Sequence, residues 1–382
     1  MNNRGRPARV CLITSSHPVT YSRFLDREAC SLARHGYQVT LVGIGPDSEA
    51  GERHGVRLVP VKASSGVRKL AALRRIARIA RCGRFDVCHC LDPWTLAIGL
   101  AIRRARADTR LVYESSEWFP RMLADREDLP VPVRHLGRLA MTWLEHSACR
   151  QADAIIETNA TRSHRFLVRG CEPVLVPNYP PLELLPELTA ERKPWIAYTG
   201  LASRHRGFEQ LLAALAIVVA RFPEVQLRVI GTFDPRDDIE HRSRRFIEAS
   251  GISKNVALLG TRSYPEMFRA LQPCLAGVIL LQPGRGNDYT GQPNKLFEFM
   301  GAGLGVVASD FPEMARIVQA TGCGWLVDPT KPSAIAQALT EALARPGACA
   351  SKGLAGREAV LKYYNWRVAE RALLETYGKL LT

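Results

Sequence analysis

Apolar residues in this chain gather in short runs rich in β-branched side chains, and stretches of helical period lie between them. In the first half the runs cover residues 10–14, 38–43, 56–61, 86–91, 111–114 and 154–158, with helical patterns at 21–34 and 97–106. The second half repeats the arrangement. Its runs cover 195–199, 226–230, 256–259, 277–281, 305–308 and 325–327, and its helical patterns cover 208–221, 242–249, 265–271, 293–300, 312–319 and 332–344. Near-continuous apolar strands separated by helices predict parallel sheets covered on both faces. Two more helical segments, 354–364 and 368–381, follow the last run with no later strand to lie beneath. Crossing back onto the first half is one way for them to bury their apolar faces.

At roughly 100–200 residues per domain, 382 residues predict two domains. The boundary is expected among Pro177, Pro180, Pro181, Pro186 and Pro194, because proline suits a linker. The expected domains are 1–185, joined by the closing segment 366–382, and 190–362. Open parallel sheets bind ligands at the carboxyl ends of their strands, at the switch point of strand order. A site between the domains, built from residues just after strands, is therefore expected.

Composition narrows the class. The first nine residues are polar and basic, with no apolar stretch behind them long enough for a signal peptide. The longest nearly apolar run, 211–220, is about half of what spans a bilayer. A soluble or peripheral, cytoplasmic protein is expected. Among ten cysteines only Cys88 and Cys90 lie close, on either side of His89, and no CxxC occurs. Alternate strand residues point to opposite faces, so a metal site there competes with buried reduced thiols, the preferred reading. The net charge is +15 and unevenly spread: residues 53–85 hold ten lysines and arginines and no acid. Such a stretch suits an anionic partner. Within it, residues 68–84 begin at Arg68 and end at Arg84, and Leu70, Leu73, Ala77 and Ala80 fall opposite Arg68, Arg75 and Arg78 on a helical wheel. An anionic membrane surface is one partner for it, and an ordinary solvated helix is the other reading.

The segment most informative for chemistry runs from Gln282 to Gly303. A strand ends, a glycine-rich polar loop follows, and a helix opens at Pro293. Free amides and the positive end of the helix dipole attract phosphate. Lys295 adds a cation in the first turn, where it would otherwise oppose the dipole, and Glu298 one turn later can accept two sugar hydroxyls. A plain loop with a solvated Lys–Glu pair fits the same residues.

"QPNKLFEFMGAGLGVVASD" resembles the signature of the retaining glycosyltransferases of family four, the group-one transferases of GT-B fold. "YTGLASRHRGFEQLLAAL", "RQADAIIETNA", "VPNYP", "GCGWLVDP" and "YNWRVAERALLETYGKLL" resemble further stretches of that family, so the likeness covers essentially the whole chain. The fold implied is two Rossmann-like parallel-sheet domains facing a central cleft, with a C-terminal helix crossing back to the N-terminal domain. The activity implied is transfer of a sugar from a nucleotide-diphosphate sugar to an acceptor hydroxyl, with retention, in cell-surface polysaccharide or glycolipid synthesis. The partners implied are that donor and a carbohydrate or lipid-linked acceptor; no metal or other cofactor and no nucleic acid are expected.

Position by position, the resemblance makes Glu298 the residue on the nucleotide's ribose. Arg206, before Gly207, becomes the cation on the diphosphate, with Lys295 beside it. Gly200, Arg204, Gly231, Thr232, Gly260, Arg262, Gly291 and Asn294 fall along the expected donor wall. The family's first acidic residue should stand eight positions before Glu298, where this chain has Thr290. Asp288, with Thr290 and the loop amides, is the expected contact to the donor sugar. In the first domain His89 and Asp92 follow a strand and are expected at the acceptor or in catalysis, with a structural histidine as the other reading. "VYESSEWFP" resembles a family segment that often reads Asp-x-His-Glu; Glu114 and Glu117 keep the acidic places, while Ser116 stands for the histidine. His17, after the first strand, is a further acceptor-side expectation. Two other readings stay open: a sugar-nucleotide epimerase on the same scaffold, and a basic nucleic-acid- or membrane-binding protein without catalysis. Aromatic content of 7% without basic–aromatic interleaving argues against nucleic acid.

Overall fold

The computed structural model describes residues 6–62, 67–126, 129–188, 191–284 and 289–382. The chain divides into two compact units, Met1–Asn178 with Trp366–Thr382, and Tyr179–Asn365. The division falls ahead of the expected position 185 because Tyr179 already packs in the second unit. Its ring centroid lies 4.7 Å from that of Phe297 and 5.5 Å from that of Tyr364.

The first unit is an eight-stranded sheet. Its strands are β1 (Arg9–Pro18), β2 (Gln38–Ile44), β3 (Gly51–Arg53), β4 (Val56–Val61), β5 (Val87–Cys90), β6 (Arg110–Ser115), β7 (Ala154–Glu157) and β8 (Val174–Leu175). The spatial order is β3-β4-β2-β1-β5-β6-β7-β8, and all neighbours pair in parallel except the short β3–β4 hairpin. The second unit has six parallel strands, β9 (Trp195–Thr199), β10 (Gln226–Ile230), β11 (Val256–Leu258), β12 (Ala276–Ile279), β13 (Gly305–Ser309) and β14 (Gly324–Val327). Their order is β11-β10-β9-β12-β13-β14. Strand order reverses between β1 and β5 in the first sheet and between β9 and β12 in the second. These are the switch points at which a parallel sheet leaves room for a ligand. Each unit buries its own apolar core, with β12 and β13 inaccessible to solvent along their length.

Cys88 and Cys90 point to one face of β5, their sulfurs 4.0 Å apart, and join Cys11 in the core, while His89 points to the other face. All ten cysteines are free thiols.

Three helices were not read from the sequence: Phe119–Ala124, Val131–Gln151 and Ala160–Leu167. The pattern at 21–34 resolves into a π-helical stretch, Arg23–Ala29, followed by a short α-helix, Cys30–Arg34. The helix Val67–Cys82 requires a correction. Its inward face is Ala72, Ile76 and Ala80, whereas Leu70, expected on the apolar side, is 51% exposed. The expected lipid-facing stripe of Leu70, Leu73, Ala77 and Ala80 is therefore not what this helix presents; its core face already lies on the sheet, and it shows solvent mainly arginine.

The final helix, Trp366–Leu381, lies on the first unit. The Trp366 indole donates to Ser31 Oγ at 2.9 Å, and Tyr377, fully buried, meets His89 Nδ1 at 3.0 Å. Tyr377→Ala is expected to destabilise the first unit by ~3–5 kcal/mol, the cost of emptying a buried aromatic site. Tyr377→Phe keeps the packing and should cost ~1–3 kcal/mol through the unpaired partner. Urea unfolding followed on the first unit's transition measures both.

Candidate functional site

The second sheet presents all six carboxyl strand ends at one edge, because every pairing in it is parallel. At its switch point, the loop after β9 carries Arg206 and the helix after β12 carries Lys295. Lys295 Nζ stands 4.6 Å from the ring centroid of Tyr198, on β9. Arg206 also acts on Tyr198: burial pushes the phenol's pKa up, and the Arg206 charge pulls it down. The Tyr198 hydroxyl donates to the carbonyl of Leu201 at 2.9 Å, which fixes the ring and the loop together.

Glycines make this loop possible. Beyond β9 the backbone stays paired to the segment after β10, through Gly200 N to Ile230 O and Ala202 N to Thr232 O. Gly231 adopts φ +154°, and a Cβ there would overlap the Gly200 carbonyl. A 3-10 turn, Arg204–Arg206, then ends on Gly207 at φ +67°, the N-cap of the helix Phe208–Val219. A Cβ on Gly207 would overlap the Leu280 carbonyl, and Gln282 N donates to His205 O at 2.8 Å. The Arg206 turn is thus pressed against the end of β12. A Cβ on Gly200 would stand 3.3 Å from Arg206 Nη1, so glycine there leaves the guanidinium its place.

On the other side of the switch point the helix Asn294–Gly301 begins. Pro293 is its N-cap rather than its first residue, in extended geometry, and no side chain caps the helix. The first amides of such a helix have no acceptor within it and form an electropositive end. Lys295 and Glu298 lie one turn apart and are 7% and 8% exposed, so both sit in the wall of the site rather than in bulk solvent. Gly291 and Asn294, with Thr290 before them, are half-buried in the approach to the helix. Gln292 donates to Glu313 at 2.7 Å and holds that approach in place. Asp288 lies outside the described residues.

The remaining expected donor-side residues spread along the same edge. Thr232, Gly260 and Arg262 are exposed beyond β10 and β11. Arg204, its guanidinium 59% exposed, stands 3.9 Å from Glu209 and from Asp237, which Arg242 holds at 2.8 and 3.0 Å.

The first unit's switch point is built differently, and three expectations are corrected there. Asp92 is fully buried; its carboxylate accepts from Thr95 N at 2.9 Å, capping the helix Pro93–Ala105, and from Ser15 N at 2.6 Å and Thr14 Oγ1 at 3.0 Å. It splices β1 to β5 and has no surface for an acceptor. His89 and Glu114 are also wholly buried. Arg23 Nε donates to Glu114 at 2.8 Å, and Arg23 Nη2 reaches Glu28 at 3.1 Å and the Val176 carbonyl at 2.9 Å. Burial and the Glu114 charge push the Glu28 carboxyl well up, so it holds its proton. Burial would also raise Glu114, but the Arg23 guanidinium wins and keeps it below the usual carboxylate value. Burial lowers His89 to about 4, leaving the ring neutral. Glu28, His89 and Glu114 offer ligand atoms within 4.8 Å of one another. The Arg23 guanidinium already supplies the cation for this group, and the cluster reads as a neutral buttress.

His17 and Glu117 remain at the carboxyl edge. The His17 ring is half-buried against Tyr21, 4.6 Å between centroids, and burial lowers its pKa. Glu117 pairs with Arg162 at 3.0 Å. Tyr21 and Arg162 stand beside these residues and were missed in the sequence, where nothing separates them from ordinary structural residues.

The buttress predicts how stability follows pH. Glu28 binds its proton more tightly in the folded state, so its stabilising contribution is whole below the unfolded value of 4.5 and fades as pH rises toward its raised folded value. His89 acts oppositely: its contribution is whole above 6.5 and is lost as pH falls toward about 4. Glu28→Gln, which mimics the protonated acid, is expected to leave the first unit at least as stable as the parent at alkaline pH and to flatten the alkaline limb. Thermal unfolding from pH 4 to 9 checks it.

Comparison with known proteins places these edges in a family. The family described as "Glycosyl transferases group 1" matches residues 193–345, and "Glycosyl transferase 4-like domain" matches residues 20–178. The phosphatidyl-myo-inositol mannosyltransferase of Mycobacterium tuberculosis H37Rv is 23% identical over 339 residues, 85% of this chain and 82% of that protein. HepE of Anabaena, solved with UDP and glucose, superposes with a TM-score of 0.76 at 14% identity, covering 98% of this chain and all of that one. Sucrose-phosphate synthase of Thermosynechococcus elongatus superposes with a TM-score of 0.74 at 19% identity, over 98% of this chain and 99% of that one.

Proposed function

Since this chain belongs to the group 1 glycosyltransferases of family four and has their GT-B fold, we propose that its second unit grips the diphosphate of a sugar nucleotide between Arg206 and the opening turn of the helix Asn294–Gly301. The observation that carries this reading is Lys295 Nζ 4.6 Å from the ring centroid of Tyr198, on β9, with Arg206 Nη1 beside Gly200 at the end of the same strand. Two cations brought to one strand end favour an anion there, and a diphosphate also takes up the first-turn amides.

In the reaction, the bond from the anomeric carbon to the β-phosphate oxygen breaks, and its electron pair leaves with the phosphate. Lys295, Arg206 and the helix dipole stabilise the charge that develops there. Glu298, at the next turn, accepts the ribose hydroxyls. Asp288 and Thr290 contact the sugar, standing in for the acidic residue that other members carry eight positions before Glu298. The acceptor hydroxyl bonds to the anomeric carbon from the face the phosphate leaves, and its proton passes to the departing phosphate oxygen. Configuration is retained. Among the described residues at this edge, Glu298 is committed to the ribose in this reading, and the front-side path needs no carboxylate nucleophile. Gly260 and Arg262 bound the base. No metal is required, since side chains and dipole supply the positive charge.

The acceptor is a lipid-linked or free carbohydrate hydroxyl, held in the first unit by His17, Glu117 and Arg162. A lipid-linked acceptor is supported by the relationship to a mannosyltransferase acting on phosphatidyl-myo-inositol. It places the enzyme on the cytoplasmic face of a membrane, with the arginine face of Val67–Cys82 adding attraction to anionic lipid. No described helix is long and apolar enough to cross one.

Arg206→Ala and Lys295→Ala are each expected to lower kcat by about 10²–10³, as for loss of one preorganised charge partner. Glu298→Gln should raise KM for the donor more than it lowers kcat. The donor is first found by thermal shift against uridine, guanosine, adenosine and thymidine diphosphates; a loss under about tenfold in both cation variants would overturn the assignment.

A further inference from the structure

We propose that the outward face of the helix Val131–Gln151 seats the protein on an anionic lipid bilayer. The proposal rests on the lipid-linked reading above and adds an apolar surface to the basic stretch 68–84. The helix buries Met141, Glu145 and Ala148 against the sheet. Its opposite face should be polar in a protein that meets only water. Instead Leu136, Leu139 and Trp143, at helical spacing, are 70%, 50% and 61% exposed, and Val133 near the start of the helix is 51% exposed. Met122 of the preceding helix, Phe119–Ala124, adds to the apolar surface at 42% exposure. That helix lies close because Leu123 packs over Gly137, where a Cβ would run into it. Exposed apolar side chains grouped on one helix face mark a binding surface.

Charge selects the occupant. The helix carries Arg134, Arg138 and Arg150 and two histidines, and its single acid, Glu145, is buried between Arg165 at 3.4 Å and Arg169 at 3.8 Å. Asp125 of the adjoining loop is paired with Arg121 at 3.1 Å, and Glu127 and Asp128 fall outside the described residues. Along the same layer, Pro93–Ala105 touches both Val131–Gln151 and Val67–Cys82. Val67–Cys82 turns Arg74, Arg75, Arg78 and Arg81 to solvent, and Trp94, 40% exposed, carries Lys69 Nζ 4.7 Å from its ring centroid. An apolar stripe with tryptophan, on a layer that also exposes Arg138, Arg150 and the arginines of Val67–Cys82, fits lipid tails and anionic headgroups together. A second copy of the chain would set arginine against arginine across this face. The stripe from Leu136 to Trp143 runs about 10 Å along the axis, so the helix lies in the interface and does not span it.

The test is flotation of the full chain with vesicles of phosphatidylcholine, alone or mixed with phosphatidylglycerol, at low and high salt. The parent is expected to float with the mixed vesicles and less so at high salt. Leu136→Glu combined with Trp143→Glu is expected to lower the bound fraction at least about tenfold. Both positions are exposed, so the variant should keep its circular dichroism spectrum and its thermal shift with nucleoside diphosphate. Trp143→Phe should still float but lose most of the vesicle-induced blue shift of fluorescence. A parent that stays out of every vesicle, or a double variant that floats like the parent, overturns the proposal. So does a parent dimer in sedimentation that the double variant dissolves while flotation is unchanged. Flotation that depends on Leu136 and Trp143 in a chain that binds no nucleoside diphosphate upholds this proposal and overturns the donor reading instead.

Discussion

Bringing Lys295 to the ring of Tyr198 and Arg206 to the end of the same strand gathers like charges, and the second unit is organised around that placement. Backbone geometry, not side-chain reach alone, sets both positions. Arg206 is delivered by a turn that Gly207 presses onto the Leu280 carbonyl and that Gly200 and Gly231 let pass at backbone distance. Lys295 is delivered by the first turn of a helix whose own dipole opposes it. The fold gathers positive potential at one point of the sheet edge, where strand order reverses, and an anion with several oxygens is the natural complement.

The first unit uses charge in the opposite way. Its buried polar residues cancel one another. Arg23 lies between Glu114 and Glu28, one carboxyl keeps its proton, His89 stays neutral, and Tyr377 of the last helix seals the group. This cluster fastens the π-helical turn after β1, strands β5 and β6, the stretch after β8 and the C-terminal helix to one another. Breaking it would leave an uncompensated buried charge, which costs far more than the intact cluster contributes. Residues that look reactive in the sequence are here consumed in holding the unit together, while His17 and Glu117 keep solvent exposure at that edge.

The outward surface of the first unit completes this division of labour. The proposed donor grip lies in the second unit, and lipid attachment is assigned to the helical layer of the first. A transferase whose acceptor is embedded in a bilayer gains from binding the surface before the acceptor, since association in two dimensions raises the effective concentration of the headgroup. The helix that would do this went unread in the sequence for a physical reason. With Met141, Leu144 and Ala148 inside and Leu136, Leu139 and Trp143 outside, its apolar residues surround the axis and leave little amphipathic signal.

What the sequence determined by itself was whatever local pattern can carry. Alternation of apolar runs and helices specified two parallel sheets, because strands buried on both faces need no distant partner to be recognised. The spacing of Pro293, Lys295 and Glu298, and the glycine after Arg206, could be read for the same reason: each is a strand–loop–helix unit whose geometry is set within a few residues. Tertiary structure decided everything that depends on burial and on neighbours far along the chain. His89, Asp92 and Glu114 became structural because Tyr377, Ser15 and Arg23 reach them from 288, 77 and 91 positions away. The apolar face of Val67–Cys82 turned inward. Helical period shows that one face is apolar, but which face meets the sheet and which meets the outside is fixed only when the layers pack.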